Sequence, residues 1–127
     1  MPGVKAAKIE MARLSTHVLD VARGKPAEGV VVELHILHTG SRQHIVTATT
    51  NVDGRTTEPL LSGDHIETGS YELTFHAGDF FRSQGVALSD PPFLDQVVIR
   101  FGIADPGGHY HVPLLLAPYS YSTYRGS

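Results

Sequence analysis

The chain has 127 residues, of which 41% are hydrophobic, and its 10 Lys+Arg and 13 Asp+Glu give a formal net charge of −3. This length and composition predict a single ordinary globular domain and exclude a disordered chain. The basic residues are too scattered for a nucleic-acid-binding stripe, and the absence of cysteine excludes disulfides, thiolate metal sites and a cysteine nucleophile.

The first residues carry no signal for export or membrane insertion. They lack the long apolar core of a secretory signal, and no apolar run in the chain approaches the length of a membrane span. A cytoplasmic location with no membrane partner is therefore expected. Met11 would also read as a start, so residues 1–12 are predicted to be a flexible N-terminal extension and residues 13–127 the folded domain.

Period-two alternation of apolar residues dominates the domain and predicts strands that are buried on one face. In the first candidate strand, Leu14, Thr16 and Val18 share one face, while Ser15, His17 and Leu19 share the other. Similar alternation follows at 30–37, 69–75 and 97–103, with turn residues between the runs. The pattern predicts an all-β, antiparallel two-sheet sandwich of about eight strands, with one short helix at 77–84 that Gly85 would cap.

The last two strands are predicted to form a hairpin. Residues 109–116 place Tyr110, Val112, Leu114 and Leu116 on one face, opposite His109 and His111. A turn at 117–119 would return the chain through residues 120–124. Alternation places the two histidines side by side, but it does not say whether they meet His17.

The two hairpin histidines would point outward if their apolar neighbours fill the core. An outward sheet face is flat and wet, and it becomes a pocket only when something covers it. A second copy of the same face would do so most simply. The pattern therefore favours an oligomer whose site lies between subunits.

The chain resembles the transthyretin-related proteins, and among them the 5-hydroxyisourate hydrolases. The resemblance runs from about residue 14 to the end, and the terminal Tyr-Arg-Gly-Ser is its most specific mark, since the thyroid-hormone carriers of the same fold lack that ending. The motifs that carry it are LSTHVLD (14–20), GKPA (24–27), DGR (53–55), GSY (69–71), HYHVPLLL (109–116) and YSYSTYRGS (119–127).

The resemblance implies a transthyretin-like sandwich of two four-stranded sheets, a homotetramer with inter-subunit active sites, and hydrolysis of 5-hydroxyisourate without metal or cofactor. It also implies which residues act. The catalytic positions would be His17, Arg55, His111 and Ser127. The substrate would be bound by His17, Arg55, Tyr124, Arg125 and Gly126. His109 is added as a further substrate-binding candidate because it shares the strand face of His111.

These residue types suit the opening of an oxygen-rich heterocycle. A neutral imidazole can take a proton from water and return it to the leaving nitrogen, and a guanidinium can stabilise the developing oxyanion. Either His17 or His111 could be the base. Arg55 follows a turn, where a lone arginine is ordinarily solvated, so its assignment rests on the resemblance.

Two other functions fit parts of the sequence. A transthyretin-like carrier of a small aromatic ligand would use the same channel, but its lining would be mainly apolar. A zinc site is the other, because His109 and His111 share a strand face and His17 could complete a three-histidine set.

Overall fold

The alternating segments form strands, as the sequence predicts. A computed structural model describes residues 12–126, and within them lie nine strands and one α-helix. The strands are β1 (Arg13–Asp20), β2 (Lys25–Pro26), β3 (Val31–His38), β4 (Ser41–Thr49), β5 (Leu61–Ser62), β6 (Gly69–His76), β7 (Gln96–Ile103), β8 (His109–Ala117) and β9 (Ser120–Thr123), and the helix is α1 (Ala77–Ser83). The all-β fold class is thereby confirmed.

The strands form two sheets that face each other. One has the order β2-β1-β8-β9, with β5 also paired to β1, and the other has the order β4-β3-β6-β7. The first sheet differs from the expected four antiparallel strands in two ways. The two-residue strand β5 is added to it, and β1 and β8 pair in parallel.

Residues on the inward faces fill the space between the sheets. Fully buried members of this core include Leu14, Val18, Leu34, Tyr71, Leu73, Phe75, Leu114 and Leu116. Ala12 is also fully buried, and its carbonyl accepts a hydrogen bond from the amide of Gly63, so the fold begins before the predicted residue 13. The expectation for the rest of the N-terminal extension concerns residues outside the described part of the chain.

The helix follows β6 directly and packs Phe80 and Phe81 into the core. It ends at Ser83, one residue before the predicted end, and Gly85 terminates it as predicted. Gly85 adopts a φ of 78° and its amide bonds the carbonyl of Arg82, a left-handed termination that glycine makes without strain. Among residues 12–126, no helix has the length and apolarity needed to cross a membrane.

The parallel pairing of β1 and β8 determines what lies on the outer face of the first sheet. Ser15 is directly opposite His111, and His17 is opposite Pro113. Residues that are directly opposite in a ladder project to the same face. Ser15, His17 and His111 therefore share the face that points away from the core.

Candidate active site

The outward face of β1 and β8 brings two of the predicted histidines together. The ring centroids of His17 and His111 are 6.5 Å apart, with the ring planes inclined by 34°. Both side chains are partly buried. Alternation along each strand could not show this contact, because it arises from the pairing of segments that are almost 100 residues apart in the chain.

A tight turn delivers Arg55 to the same place. The side-chain Oδ1 of Asn51 accepts hydrogen bonds from the amides of Asp53 (2.9 Å) and Arg55 (3.2 Å), which closes the turn. The carbonyl of Gly54 then accepts the amide of Val18 at 2.8 Å. Arg55 forms an isolated β-bridge with His17, so the turn is held against β1 between the residues that pair with β5 and those that pair with β2.

The chain after this turn forms one wall of a cleft of about 390 Å³. Strands β1 and β8 supply its floor, and the predicted residues Arg55, His109 and His111 all line it. His17 lies beside the cleft, next to Arg55 and His111. The full lining consists of Arg13, Ser15, Thr16, Arg55, Thr56, Thr57, Glu58, Pro59, His109 and His111.

The C-terminal segment reaches this site through Gly126. Its amide donates to the carbonyl of His111 at 2.8 Å, so the tail continues alongside β8. A Cβ at position 126 would lie only 2.7 Å from Cδ2 of the His111 ring. Glycine is therefore required for the tail to pass this close to the imidazole. Ser127 lies outside the described residues, and its catalytic role stays a prediction.

The structure places Arg125 and Tyr124 elsewhere in the subunit. The guanidinium of Arg125 is 4.2 Å above the ring of Tyr110 and donates to the carbonyl of His109 at 3.2 Å. Arg125 and Tyr124 line a second cleft of about 300 Å³, beside residues of β7. Within one subunit, their side chains do not join those of His17 and His111. Their contact with substrate, which is expected from the sequence at an inter-subunit cleft, stays a prediction.

Ser15 contacts His111, and it was not identified as a site residue from the sequence. Its Oγ lies 2.8 Å from Nδ1 of His111, on the directly opposite position of the neighbouring strand. The sequence pattern does place Ser15 on the outward face of β1 together with His17. It does not show that β8 is the neighbouring strand, and without that pairing the contact with His111 could not be predicted.

Burial and positive charge favour the neutral form of both histidines. Desolvation lowers the pKa of His17 below its ordinary 6.5, and the charge of Arg55 lowers it further, while a backbone hydrogen bond and the charge of Asp53 partly oppose this. Desolvation also lowers the pKa of His111, and Arg55, His17 and His109 add to the effect. Each imidazole can therefore accept a proton at neutral pH.

The three-histidine zinc site considered from the sequence is not found. Among residues 12–126, no group of three or more His, Asp or Glu side chains is arranged to hold a metal ion. Nδ1 of His111 is already in contact with the Ser15 hydroxyl. The side chain of His109 is exposed.

Comparison with known proteins identifies close relatives. The chain is 60% identical over 115 residues to 5-hydroxyisourate hydrolase 2 of Rhizobium meliloti, which covers 91% of this chain and 96% of the relative. It is 55% identical over 117 residues to the 5-hydroxyisourate hydrolase of Pseudomonas aeruginosa, and this match covers 92% of this chain and 93% of the relative.

Solved structures share the fold. The 5-hydroxyisourate hydrolase of Klebsiella pneumoniae is 35% identical with a TM-score of 0.75, covering 91% of this chain and 100% of that one. Sea bream transthyretin in complex with thyroxine is 28% identical with a TM-score of 0.79, and the match covers 91% of this chain and 95% of that one. The model of the HIUase/Transthyretin family matches residues 14–126. The chain therefore belongs to the HIUase/Transthyretin family.

Proposed function

We propose that this protein is an enzyme that hydrolyses 5-hydroxyisourate to 2-oxo-4-hydroxy-4-carboxy-5-ureidoimidazoline in urate degradation. Relatives that are 55–60% identical over nearly their whole length carry the name of this hydrolase. The observation that carries the proposal is the pair of imidazoles 6.5 Å apart, with Arg55 bridged to one of them. The cytoplasmic location expected from the sequence remains a prediction.

The reaction adds water to a ring carbonyl and breaks the adjacent C–N bond. One imidazole removes a proton from the attacking water, and a proton returns to the departing nitrogen, leaving a new carboxylate on the opened ring. His17 and His111 are the candidates for these transfers, because their lowered pKa values favour the neutral base at neutral pH.

Arg55 supplies the positive charge that this chemistry needs. As the tetrahedral intermediate forms, negative charge develops on the carbonyl oxygen, and a planar guanidinium fixed nearby stabilises it. The backbone bridge to His17 and the Asn51 side chain hold the backbone of Arg55 in the turn beside the two histidines. Neither a metal nor a cofactor is needed for these steps.

A carrier function fits the observations less well. The transthyretin relative was solved with thyroxine, so the fold accommodates a bound aromatic ligand. The cleft beside His111, however, contains two arginines, a glutamate, two histidines and hydroxyl groups. A carrier of a largely apolar ligand would be expected to line its site with apolar side chains.

The homotetramer expected from the sequence is part of the proposal. In one subunit the histidines lie on an open outward face, and a second copy of that face would enclose them. Enclosure would exclude bulk water and strengthen the electrostatic effect of Arg55. The active site is therefore proposed to be an inter-subunit cleft.

A spectroscopic assay on freshly generated 5-hydroxyisourate tests the function. Because the compound decays spontaneously, each rate is compared with a control that lacks enzyme. The wild-type protein should accelerate the decay, and H17N and H111N should each lower kcat about 10²–10⁴-fold, the range for loss of a general acid or base. H65N, which changes an exposed histidine outside the cleft, should retain full activity. A wild-type rate equal to the control would disprove the proposed function.

A further inference from the structure

The hydroxyl of Ser15 contacts one of the two nitrogens of the His111 ring. The distance from Oγ to Nδ1 is 2.8 Å, and the contact is partly buried. Only one ring nitrogen, Nε2, then remains to exchange a proton with water or substrate. The ladder of β1 and β8 fixes the two residues directly opposite each other, so the contact is built into the sheet.

The C-terminal segment restrains the same ring from another side. Gly126 lies close enough to Cδ2 and Cγ of His111 that even a methyl group would collide with the ring. The hydrogen bond from its amide to the His111 carbonyl fixes this approach. With Ser15 at Nδ1 and Gly126 against the ring carbons, the imidazole has little freedom to rotate.

We propose that Ser15 is a positioning residue that orients His111 and directs its Nε2 into the cleft. The kinetic part of this inference rests on the proposed hydrolysis, whereas the orientation of the ring does not depend on it. Ser15 transfers no proton in this scheme. It accepts a hydrogen bond from Nδ1–H while Nε2 exchanges a proton with water or with the substrate.

A hydroxyl suits this position better than a carboxylate would. A hydroxyl can accept from Nδ1–H or donate to a bare Nδ1 by rotating, so it supports either neutral tautomer. It adds no negative charge and so does not favour the imidazolium. The charged or titratable groups around the ring are Arg55, His17 and His109, together with Arg13 and Glu58 of the cleft lining, and Ser15 is a neutral partner among them.

Replacement of Ser15 tests the inference. In S15A, kcat should fall about tenfold, the effect of losing one hydrogen bond, with KM nearly unchanged. S15T retains a hydroxyl and should restore most of kcat. S15D should raise the pKa of His111 and move the acid limb of the pH–rate profile to higher pH. S70A, which removes an exposed hydroxyl from the other sheet, is the matched control and should behave as wild type.

Nitrogen-15 NMR of the His111 side chain gives a readout that does not need turnover. In the wild type, Nδ1 should have the chemical shift of a hydrogen-bonded nitrogen. S15A should change this chemical shift and the proportion of the two neutral tautomers. S15T should restore both to their wild-type values. Unchanged His111 shifts in S15A would overturn the inference, as would an unchanged kcat in an active enzyme. If the wild type showed no turnover, the proposed function would fail, and the NMR comparison would still decide whether Ser15 orients the ring.

Discussion

The charge of Arg55 adds to the effect of burial on the two histidines. Burial is the larger reason why their pKa values lie below the ordinary 6.5, and the guanidinium is the next. Above its lowered pKa each ring is mainly neutral, so a rate that requires a neutral base should fall as the pH drops below 6.5. Because the pKa of each histidine is lower in the native protein than in the unfolded chain, the unfolded chain takes up these protons first as the pH falls. The histidines therefore contribute fully to the free energy of unfolding above pH 6.5, and that contribution is lost as the pH falls below 6.5.

Neutralising Arg55 should therefore raise both pKa values. R55Q removes the positive charge but leaves desolvation in place, so the NMR titration midpoints of His17 and His111 should each move to higher pH. R42Q, a change on the other sheet, is the control and should leave both midpoints in place. Midpoints unaffected by R55Q would mean that the guanidinium does not act on the histidines. The activity of R55Q should also fall, by about 10²–10³-fold if Arg55 stabilises the oxyanion.

At the scale of elements, the turn at 51–55 connects the fold to the site. Gly54 has a φ of 74°, in the left-handed region that favours glycine, and a Cβ there would collide with the carbonyl of Val18. The same residue accepts the hydrogen bond from the Val18 amide that fixes the turn to β1. Arg55 therefore depends on Gly54 for its position.

G54A should both destabilise the protein and displace Arg55. The strained backbone alone costs about 1–3 kcal/mol, and the collision with Val18 adds to it. G40A separates the two effects, because Gly40 has a nearly identical φ of 75° but a methyl group at that position would meet nothing within 4 Å. In denaturant titrations G54A should lose more free energy of unfolding than G40A, and only G54A should lose activity. Equal losses in both measurements would show that the turn does not hold Arg55 in place.

Individual elements were predictable because each depends on local spacing. The alternation in β1 and β8 correctly assigned the core residues and the outward histidines, although Pro113, on the outward face of β8, is buried. Gly85 correctly marked the end of α1. Pairing was not predictable in this way, since the parallel register of β1 and β8 joins distant segments. That register creates the contact of Ser15 with His111. The same limit applies to Arg125, whose stacking on Tyr110 depends on how the tail leaves β9.

At the scale of the whole molecule, the outward face of the first sheet is incomplete as an active site. His111 and His17 are partly exposed there, and Leu115, two residues after Pro113, is an apolar side chain on the same face. An apolar residue beside ionisable groups on an open sheet is consistent with burial against another subunit. The proposed tetramer would cover this face and convert it into a closed cleft.

A charge at Leu115 should disrupt that assembly and, with it, turnover. L115R would place an unpaired guanidinium in the proposed interface, which is costly to desolvate. Sedimentation velocity should show smaller species than the wild type, and kcat/KM should fall in parallel, while circular dichroism retains the strand signal. L37R, at a partly buried position in the other sheet, is the matched control and should keep the wild-type assembly. A dissociated L115R with wild-type kcat/KM would show that each subunit carries a complete active site, because the histidines would then work without the covering face.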